Sequence, residues 1–361
     1  MRKLTANSAR TPKKPKSINL LDLHLDKSLR RFASDSRTTK LSQTFKEMIM
    51  DMAVPQEILQ VREPLLKFPA PNKFIFPFSA QLAAQLDTTL ACMWLRWNPA
   101  PRPCFNPALL EDLRKYCDFL TASGGYIRDG NEAHGIEYAV LTSQVPGIFN
   151  LGGDLDLFTR LIETNDREGL LSYGLACVNV LYRNYIGHGL QLTTISLVQG
   201  DCMGGGFECA LSGDVLIAEK SARFGFPEVL FNLFPGMGAY SFLQRRVGQK
   251  TTEELITSGK IYSAHDMLAR GVIDLVVDDG QGEAEVAALI KRRGRSRNAL
   301  NAISAVRRRT QPLEFKELAD IVGIWVDAAF QLNARDVKLM QRLVHRQNQN
   351  VIAENETASL H

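Results

Sequence analysis

The 361-residue chain has little with which to hold a metal or a nucleotide. Its six cysteines (Cys92, Cys104, Cys117, Cys177, Cys202 and Cys209) form no C-x-x-C pair and share no ligand spacing with the six histidines. That sets aside zinc and redox frameworks and leaves reduced, mostly buried thiols. There is no G-x-x-x-x-G-K-[ST] run, and neither glycine-rich turn has the G-x-G-x-x-G spacing, so P-loop and dinucleotide chemistry are not expected. No apolar run approaches the ~20 residues needed to span a bilayer. The basic start is followed by no apolar core with a small-residue cleavage site. Neither a membrane span nor a secretory leader is expected, and the expected compartment is the cytoplasm. No cofactor and no metal are expected.

Negative charge is scarce at one end only. Residues 1–40 hold eleven Lys/Arg against three Asp/Glu, a local +8, whereas the whole chain sums to +4 and the remainder therefore to −4. A body of that charge is no nucleic-acid binder. The arm, residues 1–74, is expected to be basic and partly disordered, with short ordered pieces in "INLLDLHLDKSL" and "KLSQTFKEMIMDM". It could also touch an acidic partner, RNA or a membrane surface.

From residue 75 the pattern is that of an α/β core, expected over 75–280, followed by a helical region over 281–361. "TTLACMWLRW" (88–97), "IEYAVLTSQ" (136–144), "QLTTISLVQG" (191–200), "DVLIAE", "ARFGF" and "VIDLVVDD" (272–279) read as strands. Asn106 and Pro107 open a helix with Leu109, Leu110, Leu113, Tyr116 and Leu120 on one face. Further helices are expected over 167–186 and, as one long element, from Pro312 to about Asn348. No internal repeat is visible.

Two stretches carry candidate chemistry. "CMGGGFECALSGD" (202–214) follows a strand with three glycines and a helix, and "FNLGGDL" (149–155) repeats the arrangement. A glycine turn at a helix start can aim unpaired backbone N–H groups at a ligand oxygen, and two such turns could make an oxyanion hole. Taken alone, a glycine triplet is more often a close packing point. Glu208 and Glu228 both sit among apolar residues, where a carboxylate is costly and its pKa tends to rise. Two of them beside one oxyanion site suit acid/base chemistry next to a thioester. Asp154 is more simply a helix cap, His188 and His265 surface or helix-end residues, Trp94 and Trp97 strand packing, and Trp325 core or subunit contact.

"FNLGGDLDLF", "LVQGDCMGGGFECALSGDVLIAE" and "FGFPEVLFNLFPGMGAYSFL" together resemble the crotonase superfamily, the enoyl-CoA hydratases and isomerases, over residues 80–348. With "IWVDAAFQL" they are most similar to its diffusible-signal-factor synthases, which make cis-2-unsaturated fatty-acid signals. The resemblance implies a ββα superhelix and a homo-oligomer built on trimers. It implies Gly153 and Gly205 as oxyanion donors, and Glu208 and Glu228 as the catalytic pair. It also implies dehydration of a 3-hydroxyacyl thioester on acyl carrier protein or CoA, then hydrolysis to the free acid. Glu228 would handle the carbon proton and Glu208 the hydroxyl. Two alternatives stand beside it: an ordinary CoA-dependent hydratase, and a catalytically idle fold that binds a sensor or regulator protein. The segment before residue 75 has no counterpart in the family.

Overall fold

One carboxylate sets the turn of the second hairpin. In the computed structural model, which describes residues 74–342, strands β1 (Ile75–Pro77), β2 (Leu82–Asp87) and β3 (Cys92–Trp97) pair antiparallel at one side of a large sheet. The strand expected over 88–97 begins only at Cys92. Asp87 Oδ1 accepts from the amides of Thr89 and Leu90 and folds 88–91 into a turn, with Ala91 at φ 49°. β1 and β2 were not anticipated. Helix α1 (Pro107–Ala122) starts as expected, with Asn106 Oδ1 accepting from Leu109 N at 2.8 Å.

A hairpin of β4 (Tyr126–Asp129) and β5 (Glu132–Gly135) precedes the body of the fold. Strands β6 (Tyr138–Ser143) and β7 (Ile148–Asn150) lead into helices α2 (Leu155–Glu163) and α3 (Arg167–Tyr185). Strands β8 (Thr193–Val198) and β9 (Asp201–Met203) lead into α4 (Gly205–Leu211). Strands β10 (Val215–Glu219) and β11 (Arg223–Gly225) lead through a 3₁₀ turn, Pro227–Phe231, into α5 (Ala239–Ser258). Each unit gives its first strand to the large sheet and its second to a smaller one. This is the ββα superhelix. The repeat absent from the sequence is therefore one of topology.

Next come β12 (Ile261–Ser263), α6 (Ala264–Ala269) and β13 (Leu275–Val277), the last shorter than the 272–279 expected. The large sheet has the order β1-β2-β3-β6-β8-β10-β13, parallel from β3 onward, and the small one β12-β11-β9-β7. β10 is buried at every position, as a parallel strand covered on both faces should be.

Helices α7 (Gly282–Gly294), α8 (Arg297–Thr310) and α9 (Phe315–Ala329) follow. The single helix expected from Pro312 to Asn348 is broken. Asn333 Oδ1 accepts from the amides of Arg335 and Asp336, capping a new helix that begins at 334. Its expected end, and residues 1–73 of the arm with both short ordered pieces, lie outside the described residues. α9 packs on α3 at Gly174, where a Cβ would stand 2.6 Å from Val322 Cγ1. All six cysteines are buried and unpaired. Among the described residues no helix is long and apolar enough to cross a membrane.

Candidate active site

The two glycine turns interlock backbone to backbone. Asn150, wholly buried at the end of β7, accepts from Gly152 N at 2.7 Å, and Gly152 takes a φ of +96°. A Cβ on Gly152 would lie 2.9 Å from Gly205 N, and one on Gly206 only 2.2 Å from Asn150 O. A side chain at either place would part the turns. Gly204, at φ +50°, faces Glu228 instead: a Cβ there would meet Glu228 Oε1 at 2.4 Å. The triplet is thus a close-packing point at all three positions, since a Cβ on Gly205 would also lie 2.6 Å from Met237 Sδ. The amide of Gly205, the first residue of α4, and that of Gly153 have no protein acceptor among the described residues.

Glu208 stands in the first turn of α4 and is 1% exposed. Its Oε1 accepts from Met237 N at 2.7 Å and Ala239 N at 2.8 Å, closing the amino end of α5. Burial pushes its pKa from the ordinary 4.5 to about 7, and the amides of Ala239, Met237 and Gly238 oppose that rise. Glu228 sits in the 3₁₀ turn behind Pro227, which Asn232 ends at φ 62°. Its Oε2 is buried with no protein partner among the described residues. Burial, and then the charge of Glu208, raise its pKa to about 8.

Glu208, Glu228, Gly153 and Gly205 line one pocket. The sequence reading missed its apolar wall. Phe158 from α2, Tyr173 from α3, Phe231, Leu233 and Met237 form that wall, and Trp325 from α9 closes it. Trp325, expected as core or subunit contact, is buried in the core and also borders the pocket. Its indole lies 5.0 Å from the Phe158 ring, and Gly236 gives it room, since a Cβ there would be 2.3 Å away. For Phe158, Tyr173 and Trp325 the signal in the sequence was helical spacing, which marks a buried face and not which cavity it borders.

The remaining candidates fall elsewhere. Asp154 caps α2, its Oδ1 accepting from Leu157 N and from Arg102. His188 is not on the surface. It is 4% exposed, at φ 55° between two left-handed glycines, with its ring edge-on to Tyr116 and both nitrogens without a partner among the described residues. Burial, then Arg183, lower its pKa to about 3, and it does not line the pocket. His265 is exposed in the first turn of α6. Trp97 is buried, its Nε1 donating to Phe149 O at 2.9 Å.

The family model described as enoyl-CoA hydratase/isomerase matches residues 120–320, which carry both turns and both glutamates. The chain belongs to the enoyl-CoA hydratase/isomerase family. It is 30% identical over 188 residues to the fatty acid oxidation complex subunit alpha of Pseudomonas savastanoi pv. phaseolicola (strain 1448A / Race 6), a match covering 52% of this chain and 24% of that one. The chain spans about a quarter of the length of the curated relatives it matches. Among solved structures it resembles human mitochondrial delta3-delta2-enoyl-CoA isomerase, with a TM-score of 0.60, 18% identity, and 75% of this chain and 99% of that chain covered. The enoyl-CoA hydratase from Bacillus halodurans gives a TM-score of 0.59 at 18% identity, covering 73% and 99%. At such identity the likeness speaks for the fold alone.

Proposed function

We propose that this family member dehydrates a 3-hydroxyacyl thioester and then hydrolyses it, releasing a cis-2-unsaturated fatty acid. The observation that carries the acid/base part is the pairing of two carboxyls of raised pKa with two unclaimed backbone amides on one pocket. The thioester carbonyl lies between Gly153 N and Gly205 N. As the α-carbon loses its proton the oxygen gains charge and both donors strengthen; one such donor is typically worth ~3 kcal/mol. Glu228 takes the proton. The Cβ–O bond breaks with its electrons, and Glu208 supplies the proton that lets the hydroxyl leave as water. The pair then exchanges a proton with solvent and is reset.

Thioester hydrolysis uses the same donors. A water activated by a glutamate adds to the carbonyl, the tetrahedral oxyanion is held by the two amides, and the thiol leaves with a proton. The quoted motifs support the cis-2-enoic product and a role in making fatty-acid signals, with acyl carrier protein or CoA as the carrier. The match to fatty acid oxidation complex subunits favours a second reading, a CoA-dependent hydratase whose product stays on its thioester.

The test incubates purified protein with a medium-chain 3-hydroxyacyl carrier protein and, separately, with an enoyl-CoA. Products are identified by mass spectrometry and double-bond geometry by NMR. Free cis-2-enoic acid is the expected product. A trans thioester alone moves the protein to the CoA-hydratase reading, and no turnover of either substrate leaves the idle, partner-binding fold.

A further inference from the structure

Gly153 can present its amide to the pocket only if the loop around it is held by something else. On one side of Gly153, Phe105 N donates to Gly152 O at 2.8 Å, so the loop is tied to the stretch before α1 as one rung of a short parallel bridge. In a regular parallel pair the next rung would run from Asp154 N to Phe105 O. Here a side chain is inserted into that rung. Tyr173 Oη donates to Phe105 O at 2.6 Å and accepts from Asp154 N at 3.1 Å.

We propose that Tyr173 is a positioning residue for the reaction: its hydroxyl, bridging Phe105 O and Asp154 N, clamps the 152–154 loop so that Gly153 N–H faces the pocket. This rests on the reading of Gly153 as a donor to the thioester oxygen.

The anchor points are rigid at both ends. Phe105 is wholly buried, its ring edge-on to the equally buried Trp97, which in turn holds Phe149 O. Tyr173 is carried by α3, which α9 presses closely at the neighbouring Gly174. Its ring meets Phe158 edge-on at 5.1 Å and forms part of the pocket wall. Burial keeps the phenol protonated, its pKa well above the ordinary value, so the hydroxyl keeps the proton it donates to Phe105 O. Without the hydroxyl, the buried Phe105 O and the part-buried Asp154 N both lose this partner. The cheapest repair is for the loop to move toward Phe105, which swings Gly153 N off the carbonyl.

Tyr173→Phe removes the hydroxyl and keeps the ring. The expected result is a fall in kcat of about 10- to 100-fold, since a displaced donor is lost mainly in the transition state, with KM changed less than about 2-fold. A second readout is the ¹³C resonance of the labelled carbonyl in a saturated acyl-CoA analogue with a methylene in place of the thioester sulfur, which can be neither dehydrated nor hydrolysed. Bound to the wild type it should shift downfield, and bound to Tyr173→Phe most of that shift should be gone. If the wild type shows no shift, the oxyanion reading itself fails. If the wild type shows it and Tyr173→Phe keeps both the shift and kcat, the clamp is wrong while the oxyanion reading survives. Should Tyr173→Phe not fold, hydrogen exchange on the wild type decides: Asp154 N–H is expected to be protected and Gly153 N–H not, and equal exchange at both overturns the clamp.

Discussion

Glu208 and Glu228 belong to the same pocket, twenty positions apart, and are held in opposite ways. Glu208 is gripped. Two amides at the start of α5 converge on its Oε1, so one oxygen does structural work and the other is left for substrate. Glu228 is merely confined. Its turn is fixed by Pro227 and Asn232, but its Oε2 has no partner among the described residues and its charge is opposed by Glu208. A gripped carboxyl is suited to meeting one fixed group, and a confined one to carrying a proton between positions.

The largest expected effect comes from removing the proton chemistry while keeping the shape. Glu228→Gln and Glu208→Gln should each lower kcat by at least about 100-fold, the lower end of what a positioned acid or base supplies. Single-turnover measurements on the folded variants check this. In Glu208→Gln the new side-chain amide keeps a carbonyl oxygen for the N–H groups of Met237 and Ala239, so α5 should start where it does now. The pair would lose its distinct roles if either variant turned over at the wild-type rate.

Next in size is Gly205→Ala. Its Cβ would stand 2.6 Å from Met237 Sδ, which can swing aside, and 3.3 Å from Gly152 Cα, which cannot. The turns should part slightly and the amide should retreat from the carbonyl, lowering kcat by roughly 10- to 100-fold. Steady-state kinetics and a crystal structure of the variant read this out together. Wild-type activity at unchanged geometry would mean that the Gly205 amide is not used.

Much of this site could be read before the fold was known, and its limits have a physical cause. Gly153, Gly205 and Glu228 sit next to a glycine or a proline, and Glu208 follows the glycine triplet with one residue between, so all four are marked by punctuation that is visible in the sequence. Asn106 with Pro107 was legible for the same reason. The aromatic wall was not. Phe158, Tyr173 and Trp325 come from three helices and meet only through tertiary packing, so each looked like an ordinary core position. His188 was misjudged because glycines on either side suggest an exposed turn, whereas this turn is pressed beneath α1, with Thr121 Oγ1 donating to His188 O. The helix break at Asn333 was missed because apolar spacing continues across it.

The third prediction concerns pH. Dehydration needs one proton on the pair: Glu228, raised further, holds it in the resting site, and the reaction runs through the form in which it has passed to Glu208 and Glu228 is ionised. With the two groups raised to about 7 and about 8, the singly protonated pair peaks between those values. The kcat/KM profile should therefore be bell-shaped with its maximum near neutrality, and the limbs belong to the pair rather than to either residue. In Glu208→Gln the residual rate should lose one limb. A flat profile from about pH 6 to 9 would remove acid/base catalysis by this pair.

The smallest effect is on stability, and it separates the two residues without any substrate. Both carboxyls have folded-state pKa values above the ordinary 4.5, so between pH 4.5 and about 8 the native protein holds more protons than the unfolded chain. Where the native state binds more protons, stability falls as pH rises. The cost is absent below about 4.5, where both states are protonated, and complete above about 8. A neutral glutamine escapes it. Glu228→Gln should therefore gain thermal stability over the wild type as pH is raised from about 5 to about 8.5, by roughly 2–4 °C for each kcal/mol relieved. Comparing the two pH values for one variant cancels whatever the amide itself does in the pocket. Glu208→Gln should gain less, because the amides at the start of α5 already stabilise that charge and the substitution weakens their bonds. Differential scanning calorimetry at the two pH values measures both variants against the wild type, and an equal gain would mean that the grip on Glu208 does not stabilise its ionised form.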